Sequence, residues 1–332
     1  MKKFIQNRVA ESALALPVAG VLCALVWLLA GLFQHQWWLQ AGCMVVATYF
    51  TVELNTTNVL LRIRSRMVAV SFLMLSCAGG FLFSSLPGAV VTLCFVVFLL
   101  LLFRTYQDTR AVGVVYYAFL MLGLASMICV HVLYLVPLLW ILMYSQLQSL
   151  SFRTLVASVY GLLTPYWIIM PLLLFPVQEQ VPLLTYFSEH FGALGNLIFP
   201  ISYSHFDFVH WALLVYVVLL LVIGLVHFLN KSYEDRVRTR QLYGFFAIVA
   251  IACLSLIALQ PQHYDWLMRI VIITVSPLVA HFIALTSTKL TNVMFILIGI
   301  SCLLLIVISV SRSVLYFLAD TAHWLWSGLL SF

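Results

Sequence analysis

Apolar residues form long, nearly uninterrupted runs along this chain, and polar residues are confined to short segments between them. Most runs are about 18 to 24 residues long, the length with which an α-helix crosses the hydrocarbon core of a bilayer. Because hydrocarbon offers no partners to backbone N–H and C=O groups, such runs are expected to be helices. The sequence lacks the alternating segments of about ten residues that a membrane β-barrel requires. The pattern predicts an all-α, polytopic transmembrane helix bundle of about 11 to 12 spans.

Short turns separate most of the predicted spans. The spans are 12–34, 38–61, 67–86, 87–104, 111–129, 131–150, 154–175, 208–230, 242–260, 267–286, 291–311 and 313–331. The first run follows basic residues in the manner of a signal peptide, but it is too long and has no small-residue cleavage site. We expect it to be retained as the first span. The last run, 313–331, is expected either to span the membrane or to lie at its interface.

The longest non-spanning stretch, 176–207, separates a first transmembrane half, 1–175, with seven spans from a second half, 208–332, with five. Its mixture of aromatic and polar residues is typical of a periplasmic lid or of a helix lying at the bilayer interface.

Two similar basic strings lie six spans apart, Arg62-Ile-Arg-Ser-Arg66 and Arg236-Val-Arg-Thr-Arg240. This spacing favours two six-helix halves related by an axis along the membrane normal. Arginine-rich loops on the cytoplasmic side of membrane proteins often look alike, so the resemblance also has a simpler explanation.

Composition supports the membrane interpretation, since 64% of the residues are hydrophobic and only 8% are charged. Of the 16 Lys and Arg residues, all except Arg269 and Arg312 fall on the same side of the predicted bundle. Basic loops stay in the cytoplasm. The sequence therefore predicts a multi-pass membrane protein with a cytoplasmic N-terminus. The net charge of +6 then indicates topology and contact with anionic lipids, and no nucleic-acid partner.

Carboxylates, imidazoles and aromatic residues recur on the opposite, predicted periplasmic, side. The candidate catalytic residues are Glu189, His190, His205 and Asp207. The candidate substrate-binding residues on this side are Asp265, Trp266 and Arg269. Histidine titrates near neutral pH, arginine binds phosphate and aromatic faces stack on sugar rings. The same residue types also belong at any membrane interface, whatever the function.

The spacing within this set makes two further predictions. Arg269 follows Asp265 by four residues, so the two are expected to pair on one face of a helix. His205, Asp207 and His210 lack the fourth ligand of a zinc signature, so neither a metal site nor a cofactor is predicted.

Glu53 is the most unusual residue within a span. It precedes Arg62 by nine residues, which places it about 13 Å from the inner boundary of the membrane. Thr57 lies on the same helical face. A carboxylate at this depth is expected to bind a proton, a cation or a polar ligand. The alternative ends the span near Val52 and makes 53–66 a cytoplasmic loop.

Prolines within two spans predict kinks, Pro165 and Pro171 in the seventh span and Pro277 in the tenth. His227 and His281 lie toward the cytoplasmic side and are expected to form interhelical hydrogen bonds.

The first half of the chain contains three short motifs, Glu53-Leu-Asn-Thr-Thr-Asn58, Arg62-Ile-Arg-Ser-Arg66 and Gly161-Leu-Leu-Thr-Pro-Tyr166. On the basis of these motifs, it resembles a family of polytopic inner-membrane proteins from the Bacteroidota. The resemblance implies a bacterial inner membrane and brings no established activity.

Three functions fit these observations. The first is the handling of a lipid-linked glycan, such as a polyprenyl-linked substrate, or of another envelope lipid at the periplasmic residues. The second is secondary transport coupled through Glu53. The third is a non-catalytic subunit of an envelope assembly with membrane-protein partners. The sequence does not decide whether the protein is an enzyme.

Overall fold

The structure, a computed structural model, describes residues 4–174, 183–195, 203 and 206–330. Within these residues the chain forms thirteen α-helices and no strand, so the predicted all-α class is confirmed. Short 3-10 helices and turns join the α-helices. The helices are α1 (Ile5–Glu11), α2 (Ala15–Leu29), α3 (Trp38–Asn58), α4 (Met67–Ala78), α5 (Leu86–Leu102), α6 (Val112–Ile128), α7 (Val136–Ser145), α8 (Phe152–Leu174), α9 (Leu183–Gly192), α10 (Phe208–Lys231), α11 (Val237–Leu259), α12 (Tyr264–Leu285) and α13 (Lys289–Leu330).

Six of the described helices, α5, α8 and α10 to α13, are long and apolar enough to cross a membrane, and a bent pair would make a seventh. That pair is α1 with α2, which meet at 90°. This count is lower than the predicted 11 to 12. Two of the predicted spans are divided between an α-helix and a 3-10 helix, Gly80–Ser84 after α4 and Val130–Leu135 before α7. The last two predicted spans are one continuous helix, α13.

Local sequence explains several helix boundaries. Ser85 Oγ accepts a hydrogen bond from the Gly88 backbone N–H, and Pro87 occupies the first turn, so α5 begins there. Helix α3 ends where Val59 adopts a left-handed backbone conformation with φ of 48°. Helix α8 continues through both of its prolines, and α12 continues through Pro277.

Helix α12 lies at the centre of the bundle. It packs against α1, α4, α5, α10 and α11, and 94% of its spanning segment is buried. The peripheral helices α10 and α13 bury only 33% and 17% of their spans. Their outer faces expose apolar side chains such as Val215, Leu219 and Val222, which are stable in contact with lipid. The chain is therefore a multi-pass membrane protein that contacts membrane lipids.

The short helix α1 closes the C-terminal end of α12. Gln6 is fully buried, and its Nε2 donates to the Ile283 carbonyl over 2.7 Å and to Thr286 Oγ1. The Gln6 backbone N–H donates to Asn292 Oδ1 over 3.1 Å. One glutamine thus satisfies a carbonyl that a helix end leaves without an intrahelical partner, and it also fastens α1 to α13.

Polar contacts gather the basic loops at one end of the bundle, which we call the basic end. Arg62 contacts the turn before α11, and Arg238 donates to Asn58 Oδ1 and to the Phe103 carbonyl. The opposite end, where α5 and α12 begin, is called the far end. The two similar basic strings have different local structures here, since 62–66 is irregular and Val237 begins α11. The arrangement as two six-helix halves stays a prediction.

Candidate functional site

An ion pair between a largely buried arginine and a partly exposed aspartate lies at the far end, at the start of α12. Arg269 is one turn after Asp265, and its Nε donates to Asp265 Oδ1 over 3.4 Å. This is the pairing that the four-residue spacing predicts, and it is confirmed. Only 11% of the Arg269 side chain is exposed. A guanidinium buried to that extent requires polar partners, because loss of its hydration is costly.

The segment before α5 supplies further partners of this ion pair. Ser85 Oγ donates to Asp265 Oδ2 over 2.8 Å, and Arg269 Nη2 donates to the Leu82 carbonyl. A β-carbon on Gly88 would overlap Arg269 Nε and would lie 2.5 Å from Asp265 Oδ2. The absence of a side chain at Gly88 is therefore what lets the guanidinium occupy this position.

A small cavity lies beside the Arg269 guanidinium. Its volume is about 30 Å³, enough for about two water molecules. Its walls include the polar side chains of Gln40, Ser76 and Thr92. Apart from Arg269, the other lining residues are apolar or aromatic. The cavity can admit oxygen atoms of one charged group, but it is too small for a sugar ring.

An apolar groove of about 370 Å³ runs between α2 and α3. Trp27 and Met44 line both this groove and the small cavity. A cationic pocket and a hydrocarbon-lined surface therefore adjoin each other. This arrangement suits an amphiphilic molecule, with its anionic group at Arg269 and its hydrocarbon between α2 and α3.

The predicted catalytic residues contact different elements. His190, on α9, has Nε2 3.0 Å from the Ser126 carbonyl oxygen and so lies against α6. Glu189 is exposed beside it, and Asp207 is exposed at the N-terminal end of α10. His205 lies outside the described residues. A joint catalytic role for these four residues stays a prediction.

Two other residues of the far end take part in packing. The ring of His210 lies 4.3 Å from that of Phe81, and the Tyr264 hydroxyl donates to the His210 carbonyl over 2.9 Å. Trp266, predicted to bind substrate, is 5% exposed. Its side chain contributes to the core at the start of α12, and its role in binding stays a prediction.

Glu53 belongs to α3, which extends to Asn58, so the loop of the alternative interpretation begins later than Val52. Thr57 Oγ1 donates to Glu53 Oε1 over 2.8 Å, as their spacing on one face allows. Glu53 precedes Asn58, the last residue of the helix, by five positions, which corresponds to a rise of about 8 Å. It therefore lies nearer to the helix end at the basic side than its separation from Arg62 predicts, and its binding role stays a prediction.

A second polar cluster, at the basic end, centres on Asp235 in the turn between α10 and α11. Arg62 Nε donates to Asp235 Oδ1 over 2.6 Å, and the Nε2 atom of His281 lies 2.9 Å from Asp235 Oδ2. The side chains of Asp235 and His281 are both 0% exposed. Both carboxylate oxygens thus have partners, one cationic and one imidazole.

Arg62 connects this buried carboxylate with the surface. Its Nη1 donates to Glu234 Oε2 over 2.7 Å, and the two side chains are 35% and 34% exposed. Burial lowers the pKa of Arg62, but hydrogen bonds to Glu234 and Asp235 outweigh that effect, and the net shift is upward. Arg62 therefore stays charged and can balance Asp235.

The cluster at the basic end also includes His227, on α10. Its ring centroid lies 5.2 Å from that of His281. Nε2 of His227 and Nδ1 of His281 are both buried with no hydrogen-bond partner among the described residues. The described part of the chain holds no group of three or more His, Cys, Asp or Glu that could bind a metal ion.

The sequence predicts interhelical hydrogen bonds for both histidines. His281 instead hydrogen-bonds Asp235, which lies in the turn between α10 and α11. The sequence did not point to Asp235, which is 46 residues from His281. One signal was present in the sequence, because Glu234 and Asp235 are adjacent acids within the most basic part of the chain.

No family model, no curated protein and no solved structure matches this chain. The resemblance to a family of the Bacteroidota stays a prediction.

Proposed function

We propose that the protein binds an anionic membrane lipid, with the negative group of the lipid at Arg269 and its hydrocarbon between α2 and α3. The observation that carries this proposal is that Trp27 and Met44 line both the pocket of Arg269 and the apolar groove. A soluble anion would make no contact with the apolar groove. A neutral hydrocarbon would make no favourable electrostatic contact with the Arg269 guanidinium.

Arg269 keeps hydrogen-bonding capacity for such a ligand. A guanidinium has five N–H donors, and the bonds to Asp265 and Leu82 use two of them. Its planar geometry favours bidentate contact with phosphate. The small volume beside it restricts the bound group to a few oxygen atoms, so any sugar of a lipid-linked glycan would extend outside the cavity.

The distribution of charge supports a periplasmic position for this lipid site. Arg269 is at the far end of the bundle, and nearly all other basic residues belong to the predicted cytoplasmic side. In a bacterial inner membrane the ligand would then be an envelope lipid or a lipid-linked glycan in the outer leaflet. Glu189, His190, His205 and Asp207 are the candidate residues for any chemistry on that ligand.

The lipids that remain bound after detergent extraction test the proposal. The full chain is purified, and bound lipids are identified and counted by native mass spectrometry. We expect Arg269→Ala to lose about tenfold or more of its bound anionic lipid, because charge-assisted hydrogen bonds contribute about 1.5 to 3 kcal/mol. Arg269→Lys should lose nearly as much, since an ammonium cannot reproduce the planar fork.

Gly88→Ala tests the same site without changing charge, because the added methyl group displaces the guanidinium. We expect it to reduce anionic lipid as Arg269→Ala does. Gly113→Ala is the matched control, since a β-carbon there meets nothing within 4 Å. Equal amounts of anionic lipid on all four variants and the natural chain, at equal folded yield, would refute the proposal.

A further inference from the structure

The basic end contains a second site that the lipid proposal does not use. We propose that Asp235, His281 and His227 form a reversible proton-binding site, reached from the aqueous phase on the side of Arg62 and Glu234. The ligand is a proton, and the site is separate from the Arg269 pocket.

The hydrogen bonds of the cluster determine where a proton can bind. Because Asp235 Oδ2 accepts from Nε2 of His281, that nitrogen carries a hydrogen in the neutral ring. Nδ1 of His281 then has a free lone pair, and it is buried next to the His227 ring, where Nε2 also has no partner among the described residues. The two rings form no hydrogen bond with each other, so a proton binds one ring and its charge acts on the other, whose centroid lies 5.2 Å away.

A proton from hydronium binds Nδ1 of His281 or Nε2 of His227, and the imidazolium that forms is balanced by the Asp235 carboxylate. One O–H bond of hydronium breaks as one N–H bond forms, and nothing is oxidised or reduced. A buried ionisable cluster within a membrane protein is by default functional. The unpartnered ring nitrogens are the positions at which this cluster can take up a proton.

The surroundings of the two rings contain few other ionisable residues. Lys231 on α10 binds Glu234 over 2.9 Å, and α11 contributes the Tyr243 ring, 4.8 Å from His281. Helices α4 and α5, which also pack on α12, contain no charged residue. Helix α1 contacts α12 through Gln6 and Asn7, while its charged residues Arg8 and Glu11 are exposed.

Charge balance makes the proton exchangeable. Arg62 and Lys231 are positive, and Glu234 and Asp235 are negative, so the cluster is neutral while both imidazoles are neutral. A bound proton leaves one net positive charge, which does not favour permanent occupation. The exposed parts of Arg62 and Glu234 lie at the aqueous surface and give the buried carboxylate a polar connection to it.

Nuclear magnetic resonance of the full chain with ¹⁵N-labelled imidazoles tests the site directly. The nine histidines are followed in lipid nanodiscs from about pH 5 to pH 8, the range in which imidazoles titrate. His281→Gln and His227→Gln assign the two resonances, and exposed His35 is the internal reference. We expect one protonation event to shift both rings, and the event should be absent in Asp235→Asn.

Coupling gives a second expected result. In His227→Gln the titration midpoint of His281 should move by about one pH unit or more, because the charge on one ring affects the protonation of its neighbour. Two rings that keep their neutral ¹⁵N shifts across the whole range would overturn the proposal and leave a static hydrogen bond. The titration of the natural chain alone decides this, so the conclusion does not depend on whether every variant folds.

Discussion

At the scale of single residues, the Gln6 side chain stabilises the contact between α1 and the end of α12. It satisfies the Ile283 carbonyl and binds Thr286 Oγ1, both of which lie at the end of α12. Because these groups are buried in the protein, water cannot replace Gln6 without reorganisation of α1.

We expect Gln6→Ala to destabilise the folded protein by about 1 to 3 kcal/mol, the cost of leaving buried hydrogen-bonding groups unpaired. The measurement is the midpoint of thermal unfolding in detergent. Ile5→Ala on the same helix is the control, since Ile5 is 56% exposed and should change the midpoint little. Equal midpoints for the two variants would show that α1 does not stabilise α12.

The sequence predicts the ion pair at the far end but not the cluster at the basic end, and the difference has a physical reason. The geometry of one helix determines the spacing of Asp265 and Arg269, so four residues of sequence are enough to predict their contact. The contact of Asp235 with His281 depends on how a turn folds against another helix. Nothing local in either segment encodes that approach.

At the scale of helices, the contact of α6 with α8 depends on small residues. A β-carbon on Gly161 would lie 2.5 Å from the Tyr116 carbonyl oxygen, and one on Gly123 would lie 2.8 Å from the Leu162 carbonyl oxygen. The two glycines therefore allow the two backbones to approach closely, as small residues commonly do in membrane helix pairs.

Gly161→Ala should force these helices apart and cost about 1 to 3 kcal/mol, the usual penalty for an extra methyl group in a packed interior. Chemical unfolding in mixed micelles would measure it. Gly113→Ala, on α6 but facing open space, should be neutral or slightly stabilising, because alanine favours helix more than glycine does. A loss of stability in Gly113→Ala as large as in Gly161→Ala would contradict a specific helix contact.

Apolar runs predicted where helices occur, but they could not predict where helices break. The run 67–86 divides because α4 ends at Ala78 and, after Gly79, a 3-10 helix follows. The two runs after Lys289 instead form one helix, since Arg312 does not interrupt the backbone hydrogen bonds of α13. Hydrophobicity reports that a segment is buried or in lipid, whereas backbone hydrogen bonds and packing decide whether it is continuous.

At the scale of the whole molecule, contacts among loops show that several basic segments lie at the same end of the bundle, and the side of the membrane that this end faces stays a prediction. Arg62 binds Asp235, and Arg238 binds the Phe103 carbonyl at the end of α5. The loop before α8 joins the loop after α5 through Ser151 Oγ, which donates to the Thr109 carbonyl over 3.0 Å.

Reporter fusions test this orientation in cells. A reporter fused after Leu150 or after Arg240 should be cytoplasmic, and one inserted near Gly195 should be periplasmic, because basic loops are retained inside. Alkaline phosphatase activity and green fluorescence give opposite signals on the two sides. Fluorescence without phosphatase activity at Gly195 would reverse the assignment of the lipid site to the periplasm.

Helix α12 is central in the bundle but is among the last helices to be synthesised, so its contacts form late. Helices α2 to α11 are synthesised before Pro261–Leu285, the segment that packs against α4, α5, α10 and α11. A nascent chain of this length therefore lacks the central helix of the bundle. Arg269 enters late, when the Gly88 site that receives it already exists. The contacts of α12 consequently form late in biogenesis, whereas the pairing of α6 with α8 can form before them.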